Sequence, residues 1–119
     1  MNNKKKVLIT GASGFIGSVL IARLEASGYN VIPFSHNERF YNYKNYIVGD
    51  FLDKDKINTL ISDLKPEVVF HLAADKFRTS SSITQLRNSL NVNLLGTLNI
   101  VEACLNSGSL EQFIFLGTC

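Results

Sequence analysis

The sequence predicts an α/β domain, doubly wound, in which a parallel sheet carries helices on both faces. Three observations predict it. Short apolar runs rich in branched residues alternate with longer stretches of helical spacing. The joint between the first run and the first helical stretch holds three glycines, Gly11, Gly14 and Gly17. The resulting order of strand, helix, strand, strand, helix, strand, helix, strand suits right-handed crossovers between parallel strands.

Taken in order, residues 7–9 (Val-Leu-Ile) stop at a glycine turn and read as a buried strand. From Ser13 onward Phe15, Ile16, Val19, Leu20 and Leu24 recur at helical spacing, and Gly28 stands where a C-terminal cap belongs. Residues 30–34 form a second strand, with Pro33 marking it as close to its end. A polar and aromatic loop, 35–45, precedes a third strand at 46–48, which ends at Gly49-Asp50. Asp53 is the N-cap of a helix carrying Ile57, Leu60, Ile61 and Leu64, closed by Pro66. Residues 67–72 are the most apolar strand and belong near the middle of the sheet. Beyond the serines at 80–82, residues 86–103 read as a long helix with Leu90, Leu94, Leu98, Val101 and Leu105 along one side, and 112–116 is the last strand.

The chain is one domain's length, and its 45% hydrophobic and 18% charged residues describe a globular core. A net charge of +2, dispersed along the chain, argues against a nucleic-acid partner. The aromatics Phe40, Tyr41, Tyr43 and Tyr46 around Lys44 lack the basic stripe that base stacking would need, and read as loop packing. Cys104 and Cys119 form neither a metal-ligand spacing nor a disulfide framework, which fits a reducing cytoplasm. No apolar run approaches the roughly 18 residues of a membrane span. The Lys4-Lys5-Lys6 start before an apolar run is signal-like, but the run breaks at Thr10-Gly11. A cytoplasmic protein without metal, membrane or nucleic acid is expected.

The candidate chemistry lies in Thr10-Gly11-Ala12-Ser13-Gly14-Phe15-Ile16-Gly17. Gly11 permits the tight turn, Gly14 lets backbone approach a pyrophosphate, and Gly17 lets the helix lie close on the strand. Phosphates would rest on free amides at the helix N-terminus, where the dipole favours negative charge. There is no Gly-Lys-Ser/Thr, so a P-loop is excluded.

The spacing Thr-Gly-x-x-Gly-Phe-Ile-Gly resembles that of the extended short-chain dehydrogenases/reductases, the NAD(P)-dependent epimerase/dehydratase family. The resemblance extends along the chain. Asp50, after the third strand, is similar to the family's adenine-contacting acid, with Phe51 beside it. Residues 69–74 (Val-Phe-His-Leu-Ala-Ala) resemble its fourth-strand signature, in which Leu72, Ala73 and Ala74 would flank the nicotinamide-side ribose. Lys76 would reach a cofactor or substrate phosphate, or else be a solvated loop lysine. Asn93 before Gly96-Thr97 resembles a helix asparagine that supports the active site, though a purely structural role competes evenly. Thr118, after the fifth strand, matches the catalytic Ser/Thr. His71 is read as a satisfied, partly buried histidine without chemistry, and Asp50 has the alternative of capping a turn.

The resemblance implies a Rossmann-type, doubly wound, three-layer domain with strand order 3-2-1-4-5, truncated after strand 5. It also implies NAD(P) as cofactor and a nucleotide-sugar substrate for an epimerase, dehydratase or reductase. The usual acid that bonds a ribose 2′-hydroxyl is replaced by Ser35, and His36 and Arg39 follow, which leans towards NADP over NAD; Glu38 keeps NAD open. The family's Tyr-x-x-x-Lys pair is absent: the residues four places after Tyr29, Tyr41, Tyr43 and Tyr46 are Pro33, Asn45, Ile47 and Asp50. The expectation is therefore the N-terminal, dinucleotide-binding part of a longer enzyme, inactive by itself. The alternative is a non-catalytic NAD(P)-binding module. Members of the family pair through helices flanking the last strands, which makes a homodimer one expected assembly.

Overall fold

The computed structural model describes residues 4–12, 14–35, 46–73 and 82–116. It contains β1 (Lys6–Thr10), α1 (Phe15–Ala26), β2 (Asn30–Ser35), β3 (Ile47–Val48), α2 (Lys54–Leu64), β4 (Val68–His71), α3 (Ile83–Leu90), α4 (Thr97–Ser107) and β5 (Gln112–Phe115). Between α3 and α4 the helix does not break. It widens into a π-helical segment, Asn91–Gly96, so 83–107 is one continuous helix with a wide turn in its middle.

The five strands form one parallel sheet, as the alternation of elements predicts, in the order β3-β2-β1-β4-β5 that the family resemblance implies. Alternation along β1 divides the core. Leu8 points to the side covered by α2 and α4, with Ile32, Phe34, Phe51, Ile57, Ile61, Val69 and Ile100. Val7 and Ile9 point to the side covered by α1, with Ala12, Ile21 and Val31. Two apolar clusters on opposite faces are what a doubly wound sheet buries.

Local chemistry explains most boundaries. Asp53 caps α2 by accepting the Lys56 N–H on its carboxylate at 3.3 Å. The helix closes through Lys65 in the left-handed region (φ 50°), one residue before Pro66. α1 ends at Ala26 with Ser27 as its C-cap, and Gly28 takes the positive φ immediately beyond it.

β2 matches the strand expected at 30–34 with one residue added, whereas the long helix is turned differently from its leucine pattern. β2 runs past Pro33 to Ser35. The Phe34 carbonyl accepts from Ala12 on the β1 side and the Ser35 carbonyl from Gly49 on the β3 side. By alternation Pro33 faces β3, whose pairing begins only at Phe34, so the missing amide costs no ladder bond. The leucine row of the long helix also faces outward: Leu90, Leu94, Leu98 and Leu105 are exposed, whereas Ser89, Gly96, Ile100, Ala103 and Cys104 are buried. Small residues, not leucines, let this helix lie on the sheet. Burial pushes the Cys104 thiol up to about 11, so it packs as a small apolar group. No helix among the described residues is long and apolar enough to cross a membrane.

Candidate functional site

In a parallel sheet all strands end on the same edge, and ligands lie where neighbouring crossovers depart to opposite faces. Here that point is between β1, which leads to α1 on one face, and β4, which leads towards the long helix on the other. Gly11, Gly14, Phe15, Ile16, Gly17, Leu72 and Ala73 all gather at this edge.

The three glycines have different reasons to be glycine. Gly11 has φ +67°, and a Cβ there would lie 2.7 Å from the Ala73 nitrogen and 2.8 Å from the Leu72 carbonyl carbon. The turn and the end of β4 are therefore in backbone contact. A Cβ on Gly17 would lie 2.6 Å from the Gly11 oxygen and 3.0 Å from the Ala12 Cα. Gly14 is the exception. It is exposed and extended (φ −76°, ψ 172°), and among the described residues a Cβ would meet only the Gly11 oxygen, at 3.2 Å. It is the N-cap of α1 and brings no side chain to the first helical amides. Phe15 and Ile16, which follow it, are 88% and 53% exposed, an unusual position for apolar side chains unless something covers them.

The adenine-side candidates sit at the β3 end. Asp50 is exposed, and its carboxylate accepts the Leu52 N–H at 2.9 Å, so one oxygen already shapes the turn. The Phe51 ring points into the core, stacked on Phe34 at 4.9 Å, and its carbonyl accepts from Asn99 Nδ2 at 2.7 Å. Ser35, at the end of β2, is buried, and its carbonyl is taken by Gly49. Leu72 and Ala73 are half-buried on opposite faces, Leu72 against the α1-side cluster and Ala73 against the other. Asn93 lies exposed in the π-helical segment, its carbonyl accepting from Thr97 Oγ1 at 2.7 Å. Ser13, His36, Arg39, Ala74, Lys76 and Thr118 lie outside the described residues.

Three polar residues to which the sequence assigned no chemistry organise this edge. Thr10 and His71 stand opposite each other in the β1–β4 register, and Thr10 Oγ1 lies 2.7 Å from His71 Nδ1. Thr10 Oγ1 also accepts the amides of Leu72 and Ala73, at 3.1 and 3.2 Å. His71 Nε2 lies 2.9 Å from Thr97 Oγ1. His71 is more deeply buried than the sequence implies, and desolvation lowers its pKa from 6.5 to about 4, which keeps the ring neutral. The third, Asn99, was visible only as an amide between two apolar residues on a helix. No group of three or more metal-ligating side chains comes together among the described residues.

A family model described as "NAD dependent epimerase/dehydratase family" matches residues 7–119. The chain is 34% identical over 113 residues to the UDP-glucose 4-epimerase of Mycolicibacterium smegmatis, covering 87% of this chain and 36% of that protein. It is 32% identical over 123 residues to the dTDP-L-rhamnose 4-epimerase of Burkholderia thailandensis, covering 94% of this chain and 34% of that one. Among solved structures, the Thermus thermophilus UDP-glucose 4-epimerase in complex with NAD superposes with a TM-score of 0.82 at 32% identity, over 95% of this chain and 37% of that one. The chain thus spans about a third of the length of the relatives it matches.

Proposed function

The chain belongs to the NAD dependent epimerase/dehydratase family, and from that premise we propose that it forms the dinucleotide-binding part of an enzyme acting on a nucleotide-sugar. One observation carries the reading. Gly11 and Gly17 are required by the packing of the chain on itself, whereas among the described residues a Cβ on Gly14 would meet just one atom, at 3.2 Å. A missing side chain at a helix N-terminus beside the strand-end crevice is what a pyrophosphate requires.

In this reading Gly11, Ser13, Gly14, Phe15, Ile16 and Gly17 hold the pyrophosphate. Asp50 and the Phe51 backbone border the adenine, while Leu72, Ala73 and Ala74 flank the nicotinamide-side ribose. Lys76 reaches a phosphate, and Asn93 supports the arrangement. A bound nicotinamide dinucleotide supplies the capacity to take hydride from a sugar carbon and to return it. Thr118 is the proposed catalytic contact, hydrogen-bonding the substrate hydroxyl that loses its proton. No tyrosine of the 119 residues has a lysine four places on, so the acid/base step is assigned to groups beyond these residues. Ser35, His36 and Arg39 favour NADP, whereas the Thermus relative is described with NAD. The outward leucine row supports pairing with a second copy, and the cysteine usage supports a cytoplasmic location.

Isothermal titration of the chain with NAD and, in parallel, NADP tests the proposal and ranks the two cofactors. Gly14→Val is expected to weaken binding at least about tenfold, or roughly 1.4 kcal/mol, by filling the pyrophosphate space. Its urea midpoint should fall only modestly: valine adopts this extended backbone, but it is a poor N-cap and its Cβ would press on the Gly11 oxygen at 3.2 Å. A folded Gly14→Val with unchanged affinity would sink the phosphate-turn assignment.

A further inference from the structure

Two pieces of backbone border the crevice at the β1 and β4 ends. One is the glycine turn with Leu72 and Ala73 lying against it, and the other is the π-helical segment. Among the described residues the His71 side chain bridges them, through Thr10 Oγ1 at 2.7 Å and Thr97 Oγ1 at 2.9 Å. Neither hydroxyl leaves the ring a choice of tautomer. Thr10 Oγ1 accepts the Ala73 amide and, shared with the Thr10 carbonyl, the Leu72 amide. Both its lone pairs are engaged, so its own proton goes to Nδ1. Thr97 Oγ1 lies 2.7 Å from the Asn93 carbonyl, which can only accept. The Thr97 proton therefore goes there, and its oxygen receives the N–H of Nε2. Each end, deduced independently, gives Nδ1 bare and Nε2 protonated.

We propose that His71, held in this one tautomer, is a positioning residue for the dinucleotide site. It orients the Thr10 hydroxyl that fixes the Leu72 and Ala73 amides against the glycine turn, and it ties both to the long helix through Thr97. The proposal rests on the reading of these strand ends as the dinucleotide site. The coupling is direct, because Gly11 and Ala73 have no room between them for even a methyl group. If the Thr97 hydroxyl is removed, the Nε2 proton has no acceptor among the described residues. The ring then gains by moving the proton to Nδ1, which must donate to Thr10. That oxygen already holds two N–H groups, so at least one amide is released and the turn loses its backing.

Replacing His71 itself would empty a core position and mix folding with binding. Thr97→Val keeps the volume at a half-buried helical site and is the sharper probe. In the labelled full chain, long-range nitrogen–proton spectra should show His71 protonated at Nε2, with slow amide exchange at Leu72 and Ala73. Thr97→Val should shift the tautomer, speed exchange at those two amides and raise the dissociation constant for NAD about tenfold, as expected for one unpaired buried donor. Thr97→Ser, which keeps the hydroxyl and loses the methyl, should restore all three, an outcome that a packing role for Thr97 would not produce. A wild-type ring protonated at Nδ1, or a folded Thr97→Val with wild-type affinity, overturns the proposal. Wild-type protein that binds neither NAD nor NADP overturns the site reading, and the proposal falls with it.

Discussion

His71 is packed against Phe51, Phe113 and Phe115, with ring centroids 5.8, 6.1 and 5.9 Å from its own, and its hydrogen-bond partners are neutral threonine hydroxyls. Among the described residues no acid faces the ring, and burial lowers its pKa from 6.5 to about 4. In the unfolded chain the ring takes its proton near the ordinary value. Between those two values the unfolded state binds more protons than the folded one, and stability falls as pH falls. From about pH 7 to about pH 5 the loss assigned to this ring is about 2 kcal/mol. Urea unfolding at both pH values should show that loss in the wild type, and His71→Gln should lack it whatever its stability at neutral pH. An identical slope in the variant would mean the sensitivity comes from another group. The sequence placed His71 at a strand end and described it as satisfied. It did not reveal the partners, because Thr10 is 61 positions away and Thr97 is 26 away, and only the register of β1 against β4 brings the first into reach.

Elements were legible in the sequence wherever a local rule decides them. The glycine spacing dictates the β1–α1 turn, Asp53 starts α2 with its own side chain, and the apolar run at β4 reads as an interior strand. The long helix was legible in existence but not in orientation. Hydrophobic period selects the row of Leu90, Leu94, Leu98 and Leu105, whereas the buried face is built from Gly96, Ile100, Ala103 and Cys104. The reason is distance. A Cβ on Gly96 would lie 3.0 Å from the Phe51 Cβ, so at that turn the helix comes too close for a leucine, while one turn on there is room for Ile100. Two nearby truncations on α4 separate the pattern from the packing. Ile100→Ala, at a position with no exposure, should cost about 2–5 kcal/mol. Leu98→Ala, 53% exposed, should cost no more than about 0.5 kcal/mol. Urea midpoints measured at dilution, where the chain is monomeric, would reverse in order if the leucines faced the sheet.

At the scale of the whole molecule the two core clusters account for the inner faces of α1, α2 and α4, but not for the outer side of the long helix. Leu90, Leu94, Leu98 and Leu105 are each more than half exposed, and they follow one another along a single helix. Scattered surface leucines are ordinary, whereas a continuous row of this kind marks a contact surface. Burying it against the same row on a second copy is the symmetric solution that needs no other partner. The chain is therefore expected to self-associate, with a sedimentation coefficient that rises with concentration across the micromolar range. Leu98→Lys combined with Leu105→Lys sets like charges against each other in such a pair, so the double variant should sediment as a monomer. Because Gly14 and the strand-end crevice use none of these leucines, its affinity for NAD should be unchanged. A wild-type chain that stays monomeric throughout would show that the row does not pair copies of this chain. A double variant that loses both association and NAD binding would instead show that the leucine row and the strand-end site depend on each other.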